Sequence, residues 1–329
     1  MKTEKHVMVV GAGIVGSMIA VQLLDLGWQV TLLDAGFAGQ ATRASGGMLA
    51  PTSEAHSLPV SWREKAQLSL QLWKTWLERF ERMGLDVGYI SSLAHAATHL
   101  QEAEQFKSNL QSAGQWTEDN PEHPHGMAFY SEEGSLDPVQ VLRALHALVP
   151  VTQAEVKRLW EDGHTIKADT SSGELQADGA VLACGAWSNR FGIPVQSRQG
   201  QALLLEGEHV DHATYKGRGY MVPRQGATYV GATEIDTWDT TPTHGARSTL
   251  LAYVQQHKPD LQEVRVLDHK VGLRPLLPEP MIAPHPSLQN VLVATGHHRN
   301  GILLAPVTAQ RVMQLFMQES PPSYGVTVH

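Results

Sequence analysis

The chain has 329 residues, 33 acidic and 25 basic side chains and a formal net charge of −8. A length and composition of this kind can bury a substantial core, in one interleaved unit or in two domains. The absence of a long basic block, or of Lys and Arg interleaved with aromatics, excludes the electrostatic footprint of a nucleic-acid binder. The single cysteine, Cys184, rules out an intrachain disulfide framework and fits a reducing, cytoplasmic setting.

Lys2 and Lys5 precede "HVMVVGAGIVGSMIAVQLL", which has no Asp, Glu, Lys or Arg before Asp25 and so imitates a targeting signal. Gly11, Gly13 and Gly16 would weaken a spanning helix, and no small-residue cleavage site follows. Neither a leader nor a membrane anchor is therefore expected. The stretch reads instead as a buried strand, a turn and a helix stopped by Gly27, after which "WQVTLLDAG" restarts a strand ending at Asp34. G-x-G-x-x-G between strand and helix, with an acid closing the next strand, is a dinucleotide fingerprint. Gly11 permits the tight turn, Gly13 lets the backbone approach a pyrophosphate, and Gly16 lets helix and strand pack closely. The helix N-terminus offers N–H groups to phosphate, and Asp34 offers an acceptor to ribose hydroxyls.

"AGQATRASGGMLAP" (38–51) follows in place of a prompt second βα unit, which makes nicotinamide the less suitable cofactor. Thr42, Arg43, Ser45, Gly46 and Gly47 are available there to phosphate or to an isoalloxazine ring. "SWREKAQLSLQLWKTWLERFERMG" predicts an amphipathic helix that buries Leu68, Leu72, Trp73, Trp76, Leu77 and Phe80 and ends at Gly84. Residues 85–135 are less periodic, with "DNPEHPHG" marking a loop. Asp137 and Pro138 predict an N-cap and first helical position for a helix that Pro150 stops. A strand containing Val156, a hairpin through "EDGHTIKADTSSGELQAD" and the buried run "GAVLACGAW" follow, and Cys184 and Gly185 belong to that run. Cys184 reads as a small core residue, not a nucleophile. "QALLLE", "GYMVPR" and "ATYVGATE" predict an antiparallel sheet, "NVLVATG" a buried strand, and "APVTAQRVMQLFMQ" a final helix. "HPH" at 123–125 and "HH" at 297–298 lack metal-ligand spacing, and no G-x-S-x-G occurs, so no metal site or serine hydrolase is expected.

"GAGIVG", "ASGGMLAP", "YVGAT", "GLRPLLPEP" and "GHHRNGILLAP" together resemble the flavin-dependent amine oxidases of the D-amino-acid oxidase and sarcosine oxidase family, specifically the thiamine-pathway glycine oxidase type. The resemblance implies an α/β fold in which a Rossmann-like FAD-binding domain (1–84, 137–193 and 271–329) is interleaved with an antiparallel-sheet substrate domain (85–136 and 194–270). It implies noncovalent FAD, because Cys184 is remote from the C-terminal flavin segment. It places Ile14 and Val15 in the phosphate turn, Asp34 and Ala35 at the ribose, and Thr42, Arg43, Ser45, Gly46, Gly47 and Met48 at the pyrophosphate and ring. Val156 falls on the adenine side, Gly185 beside the nucleotide, and His297, His298, Arg299, Asn300, Gly301, Ile302 and Leu303 along the flavin. Arg274 and Arg299 match substrate-binding arginines, Tyr220 a pocket tyrosine, and Met48 a side chain beside the substrate. Asp34 stands where the family more often has Glu, and residues 85–135 match it poorly.

The implied reaction is hydride transfer from a small amino acid to flavin. The resulting imine is hydrolysed to an oxo acid and ammonia, while molecular oxygen is reduced to hydrogen peroxide. Three potentially cationic side chains in "GHHRNG", with a helix starting near Gly301, would favour the substrate carboxylate and the reduced ring. Glycine, sarcosine, other secondary amines and small D-amino acids all remain open as substrates. So does a flavoprotein maturation role without turnover, whereas a tRNA-modifying oxidoreductase lacks its basic flank here. Oligomeric state stays open between a monomer and a homo-oligomer.

Overall fold

A computed structural model describes residues 5–110, 114–117, 123–261 and 263–318; part of the expected 119–126 loop therefore lies outside the described residues. The chain begins β1 (His6–Val10), α1 (Ile14–Asp25), β2 (Gln29–Asp34), α2 (Ala41–Ala44), β3 (Met48–Leu49), α3 (Arg63–Arg82), β4 (Ile90–Ala96), α4 (Leu100–Asn109), β5 (Gln115–Thr117) and β6 (Met127–Ser135). It continues α5 (Pro138–Leu148), β7 (Val151–Gln153), β8 (Val156–Asp162), β9 (Thr165–Thr170), β10 (Gly173–Ala177), β11 (Gly179–Leu182), β12 (Gln196–Glu206) and β13 (Ala213–Lys216). β14 (Gly219–Arg224), β15 (Ala227–Gly231), α6 (His244–His257), β16 (Val266–Pro284), β17 (Val291–His297) and α7 (Gly301–Gln318) complete it.

One sheet runs through the molecule in the order β3-β6-β4-β13-β14-β15-β12-β16-β17-β11-β1-β2-β7, with β5 beside β6. From β17 to β7 every pairing is parallel, and β17, β11 and β1 are apolar on both faces because both are covered. Val7 and Val9 face a core shared with α1, α3, α5 and α7, while Met8 and Val10 face the three-stranded sheet β10-β9-β8. From β6 to β16 the pairing is antiparallel except where β4 meets β13. Here Leu203, Leu205, Met221 and Val230 pack beneath α6, and Ala202, Tyr220, Val222 and Tyr229 face the other way. β16 is antiparallel to both β12 and β17 and so joins the two halves.

Local signals set most of these elements. The Asp137 carboxylate accepts from the N–H groups of Val139 and Gln140 and starts α5, with Pro138 in the first turn. Gly84 ends α3 with φ +67°. Trp73, Trp76 and Phe80 are buried as the periodicity predicts, but Leu68 is 47% exposed because Ala66, Ser69 and Leu70 occupy the inward stripe. β11 stops at Leu182, so Cys184 lies just past the strand, at the start of a short 3-10 turn. α6 follows β15 as a helix that the sequence pattern did not announce.

Pro306 sits inside α7 and has no N–H for the carbonyl of Ile302. Two residues of α3 repair that gap. Trp73 Nε1 donates to the carbonyls of Ile302 and Leu303 at 3.0 and 3.2 Å, and Ser69 Oγ donates to Leu303 at 2.6 Å. We expect Trp73→Phe to strand a buried carbonyl and lower unfolding stability by about 1–3 kcal/mol. Pro306→Ala, which restores the backbone donor, should recover part of that loss in a double-mutant cycle measured by urea unfolding.

Candidate active site

A long cleft follows the C-terminal ends of the parallel strands and then turns beneath the antiparallel half. One end is lined by Asp34, Phe37, Val156 and Trp187, and the other by Tyr220, Arg274 and Arg299. Gly11, Gly13, Ile14, Val15, Ala35, Thr42, Ser45, Gly46, Gly47, Met48, Gly185, His297, His298, Gly301 and Ile302 line it between or around these ends, so most of the expected site residues meet in one space. Arg43 does not reach it. That side chain is exposed and its Nε donates to Gln40 Oε1 at 2.7 Å. Asn300 instead turns to Ser57, Leu303 packs into the helical core, and Gly16 lies behind the turn.

The nucleotide end fits a dinucleotide. Gly13 precedes the first turn of α1, and the Ile14 N–H is directed to Thr42 Oγ1 at 3.1 Å. Gly11 has φ +105°, and a β-carbon there would fall 2.4 Å from the Ala183 carbonyl oxygen; one on Gly16 would fall 1.9 Å from that of Gly11. Backbone therefore approaches backbone as the fingerprint requires. Asp34 accepts from the Ala12 N–H at 2.8 Å, the Gly36 N–H at 2.7 Å and Gln40 Nε2 at 3.0 Å. A carboxylate offers about four lone-pair sites, so one acceptor position remains for a ribose hydroxyl. Cys184 donates to the Val10 carbonyl at 3.2 Å, and burial pushes its thiol up to about 12, leaving no nucleophile there.

Two side chains of the antiparallel half hold the small-residue loop between α2 and β3. Tyr229 donates its hydroxyl to the Ala44 carbonyl at 2.8 Å, and the buried Arg224 donates Nη2 to the Gly46 carbonyl at 2.7 Å. A β-carbon on Gly46 would lie 2.9 Å from Met48 Sδ and 3.0 Å from the Tyr220 ring, so these three residues converge on one point. Tyr220 stacks on Tyr229 with ring centres 6.0 Å apart, and burial raises the pKa of its hydroxyl, which stays protonated at neutral pH.

Arg274 crosses Gly200, where a β-carbon would fall 2.3 Å from its Nη2. Its Nη1 lies 3.3 Å from Glu234 Oε2 and 3.3 Å from the Thr233 carbonyl. Arg299 Nη2 is 3.1 Å from Oε1 of the buried Glu54. The histidines depart from the sequence expectation: burial lowers His297 and His298 to about 4, so neither carries charge at neutral pH. His297 Nε2 is instead bonded to Thr308 Oγ1 at 2.9 Å, and His298 turns toward Glu234. The positive potential comes from Arg274, Arg299 and the start of α7.

Sequence reasoning missed Glu54, Glu234, Gly200, Arg224 and Tyr229. A lone glycine inside the strand pattern "RQGQALLLE" was a readable sign of close approach at Gly200. The Arg299–Glu54 pair joins residues far apart in the chain and leaves no local signal. Among the described residues, no group of three His, Cys, Asp or Glu side chains could hold a metal, and no helix is long and apolar enough to cross a membrane.

Residues 6–315 match the family described as FAD dependent oxidoreductase. The bifunctional protein ThiO/ThiG of Nostoc sp. is 29% identical across 96% of this chain; the match covers 53% of that relative, so the chain spans about half its length. The glycine oxidase of Bacillus subtilis is 28% identical, with 97% of this chain and 95% of the relative covered. The crystal structure of glycine oxidase from Geobacillus kaustophilus superposes with a TM-score of 0.84 at 25% identity, covering 97% of this chain and 96% of the other.

The backbone contact at Gly16 leaves no room for a side chain, so Gly16→Val should displace the turn. The purified variant is expected to lack flavin absorbance while far-UV circular dichroism shows the fold retained. A fully yellow variant would contradict this account of the turn.

Proposed function

The chain belongs to the FAD-dependent oxidoreductase family, and from that premise we propose that it oxidises glycine or a comparably small amino acid to an imine, which water hydrolyses to an oxo acid and ammonia. The observation that carries this reading is the convergence of Arg274, Tyr220, Met48 and Arg299 at one end of the dinucleotide cleft. Its likeness to glycine oxidases across nearly the whole chain supports it.

FAD would be held noncovalently, the ribose by Asp34, the phosphates by N–H groups of the α1 turn and the ring by residues 45–48 and 297–302. When bound, FAD supplies the hydride acceptor, and molecular oxygen regenerates it with release of hydrogen peroxide. The protein's own task is placement. Arg274 takes the substrate carboxylate with a planar, two-pronged donor, and the protonated Tyr220 hydroxyl adds a neutral donor beside it. Met48 and Tyr220 confine the Cα so that its C–H faces the ring position, and Arg299 with the α7 N-terminus stabilises negative charge developing there. No side-chain base is required once the amine is unprotonated, consistent with neutral, hydrogen-bonded His297. We assign cofactor binding to segments 1–84, 137–193 and 271–329 and substrate binding to 85–136 and 194–270, and place the enzyme in the cytoplasm.

Arg274→Met should leave the flavin spectrum intact but weaken glycine binding by about 2–5 kcal/mol, the cost of removing one partner of a desolvated charge pair. Unchanged apparent affinity in a peroxide-coupled assay would remove Arg274 from the substrate site. Crowding at Cα predicts that kcat/KM falls from glycine and sarcosine through D-alanine to D-phenylalanine, and that Met48→Ala narrows the range. A wild-type enzyme that turns over D-phenylalanine best would overturn the assignment of these walls.

A further inference from the structure

Arg274 lines the cleft, yet its Nη1 is already engaged away from it, 3.3 Å from the Thr233 carbonyl and 3.3 Å from Glu234 Oε2. Among the described residues Glu234 is the carboxylate paired with Arg274, and it does not itself line the cleft. A substrate carboxylate that seeks both prongs of the guanidinium therefore meets a carboxylate already in place, and two like charges on one cation repel.

The main chain on either side of Glu234 is pinned. The Thr233 N–H donates to the Gln201 carbonyl at 3.1 Å, the Ile235 N–H to the Gln199 carbonyl at 2.9 Å, and the Gln199 N–H back to the Ile235 carbonyl at 2.9 Å. The Gln201 N–H adds a bond to Thr233 Oγ1 at 3.0 Å. The segment after β15 thus lies along β12 with Glu234 and Asp236, two residues apart, on one side. Arg274 on β16 and Arg198 on β12 stand directly opposite each other, a like-charge pair that would destabilise the sheet unaided. Asp236 pairs with Arg198 and Glu234 with Arg274, so each cation has its own acid. Of the two arginines, Arg274 alone lines the cleft.

Glu234 is also free to leave. Its side chain is 44% exposed, and the oxygen that faces Arg274 lies 3.6 Å from His298 Nε2, a buried atom with no hydrogen-bond partner. A small side-chain rotation would carry that oxygen from the guanidinium into bonding reach of the imidazole N–H, so a donor awaits the displaced carboxylate.

We propose that Glu234 is an exchangeable counter-ion of Arg274: it occupies the guanidinium in the free enzyme, gives way to the substrate carboxylate and returns when the oxo acid departs. This rests on the reading of Arg274 as the substrate clamp given above. Glu234 is then a positioning residue that weakens the hold of the clamp on every carboxylate, substrate and product alike, and so tunes the site toward release.

The test measures Kd for acetate on the FAD-loaded enzyme, by flavin absorbance and by calorimetry, together with steady-state oxidation of glycine. Glu234→Gln should tighten acetate by about three- to tenfold, the range for losing a partly exposed ion pair. KM for glycine should fall by the same factor with kcat not raised, the mark of binding shared by ground and transition states. Glu234→Asp keeps the charge, but its pinned main chain leaves the shorter side chain out of reach of Nη1, so it should tighten acetate as well. In an Arg274→Met background Glu234→Gln should change Kd by less than about twofold. Asp236→Asn, an equal loss of charge on the neighbouring pair, should leave Kd at the wild-type value. Unchanged or weaker binding in Glu234→Gln would overturn the proposal. So would wild-type affinity in Glu234→Asp, or a tightening that persists without Arg274, since either would mean that the charge acts at a distance and not by contact. Equal acetate affinity in the wild type and in Arg274→Met would strike the clamp reading itself, a result obtained without any change at Glu234.

Discussion

Pro306 imposes a constraint on which much of the molecule depends. A proline six residues into a helix removes a backbone donor, and here the freed carbonyl is buried between helices. Ser69 and Trp73 supply donors from α3 and thereby fasten α3 to the first turns of α7. The same turns line the cleft through Gly301 and Ile302. A local defect in one helix is thus converted into a fixed distance between the helical layer and the cleft wall at Gly301 and Ile302.

The opposite wall is fixed by comparable means. Arg224 and Tyr229 reach from the antiparallel half to the carbonyls of Gly46 and Ala44, so the small-residue loop on the cleft wall is held by hydrogen bonds whose donors belong to the antiparallel half. Arg224 is almost fully buried, and a hydrogen bond from a charged donor contributes about 1.5–3 kcal/mol. Missing β-carbons do the complementary work. Gly200 makes room for the Arg274 guanidinium and Gly231 for the Tyr220 ring. The shape of that end of the cleft is therefore set as much by absent atoms as by the side chains that project into it.

What could be read from the sequence was what chain neighbours encode. The dinucleotide turn, Asp34, the Asp137 cap and the strands 196–206, 219–224 and 227–231 are announced by glycine spacing, capping chemistry and alternation within short windows. α6 escaped because its buried residues, Ala246, Leu250 and Val254, form a sparse stripe between two alternating regions. β4 and β6 lie in a segment with little periodicity, and β4 takes its place partly through β13, more than a hundred residues away. The charge of "GHHRNG" was misjudged for a different reason. A histidine's ionisation depends on its surroundings, and burial removed two of three expected cations while the paired Arg299 kept its charge. Glu54 could not be found at all from a window, because its meaning comes from Arg299 at the other end of the chain.

Asp34 ties the phosphate turn to the end of β2 through the Ala12 N–H, and Gly36 and Gln40 take two more of its acceptor positions. One carboxylate is thus at once a strut between two loops and, through its remaining lone pair, a ligand offered to a ribose hydroxyl. A substitution there would loosen the turn and remove the ribose contact together, so the two losses cannot be separated by changing this side chain alone.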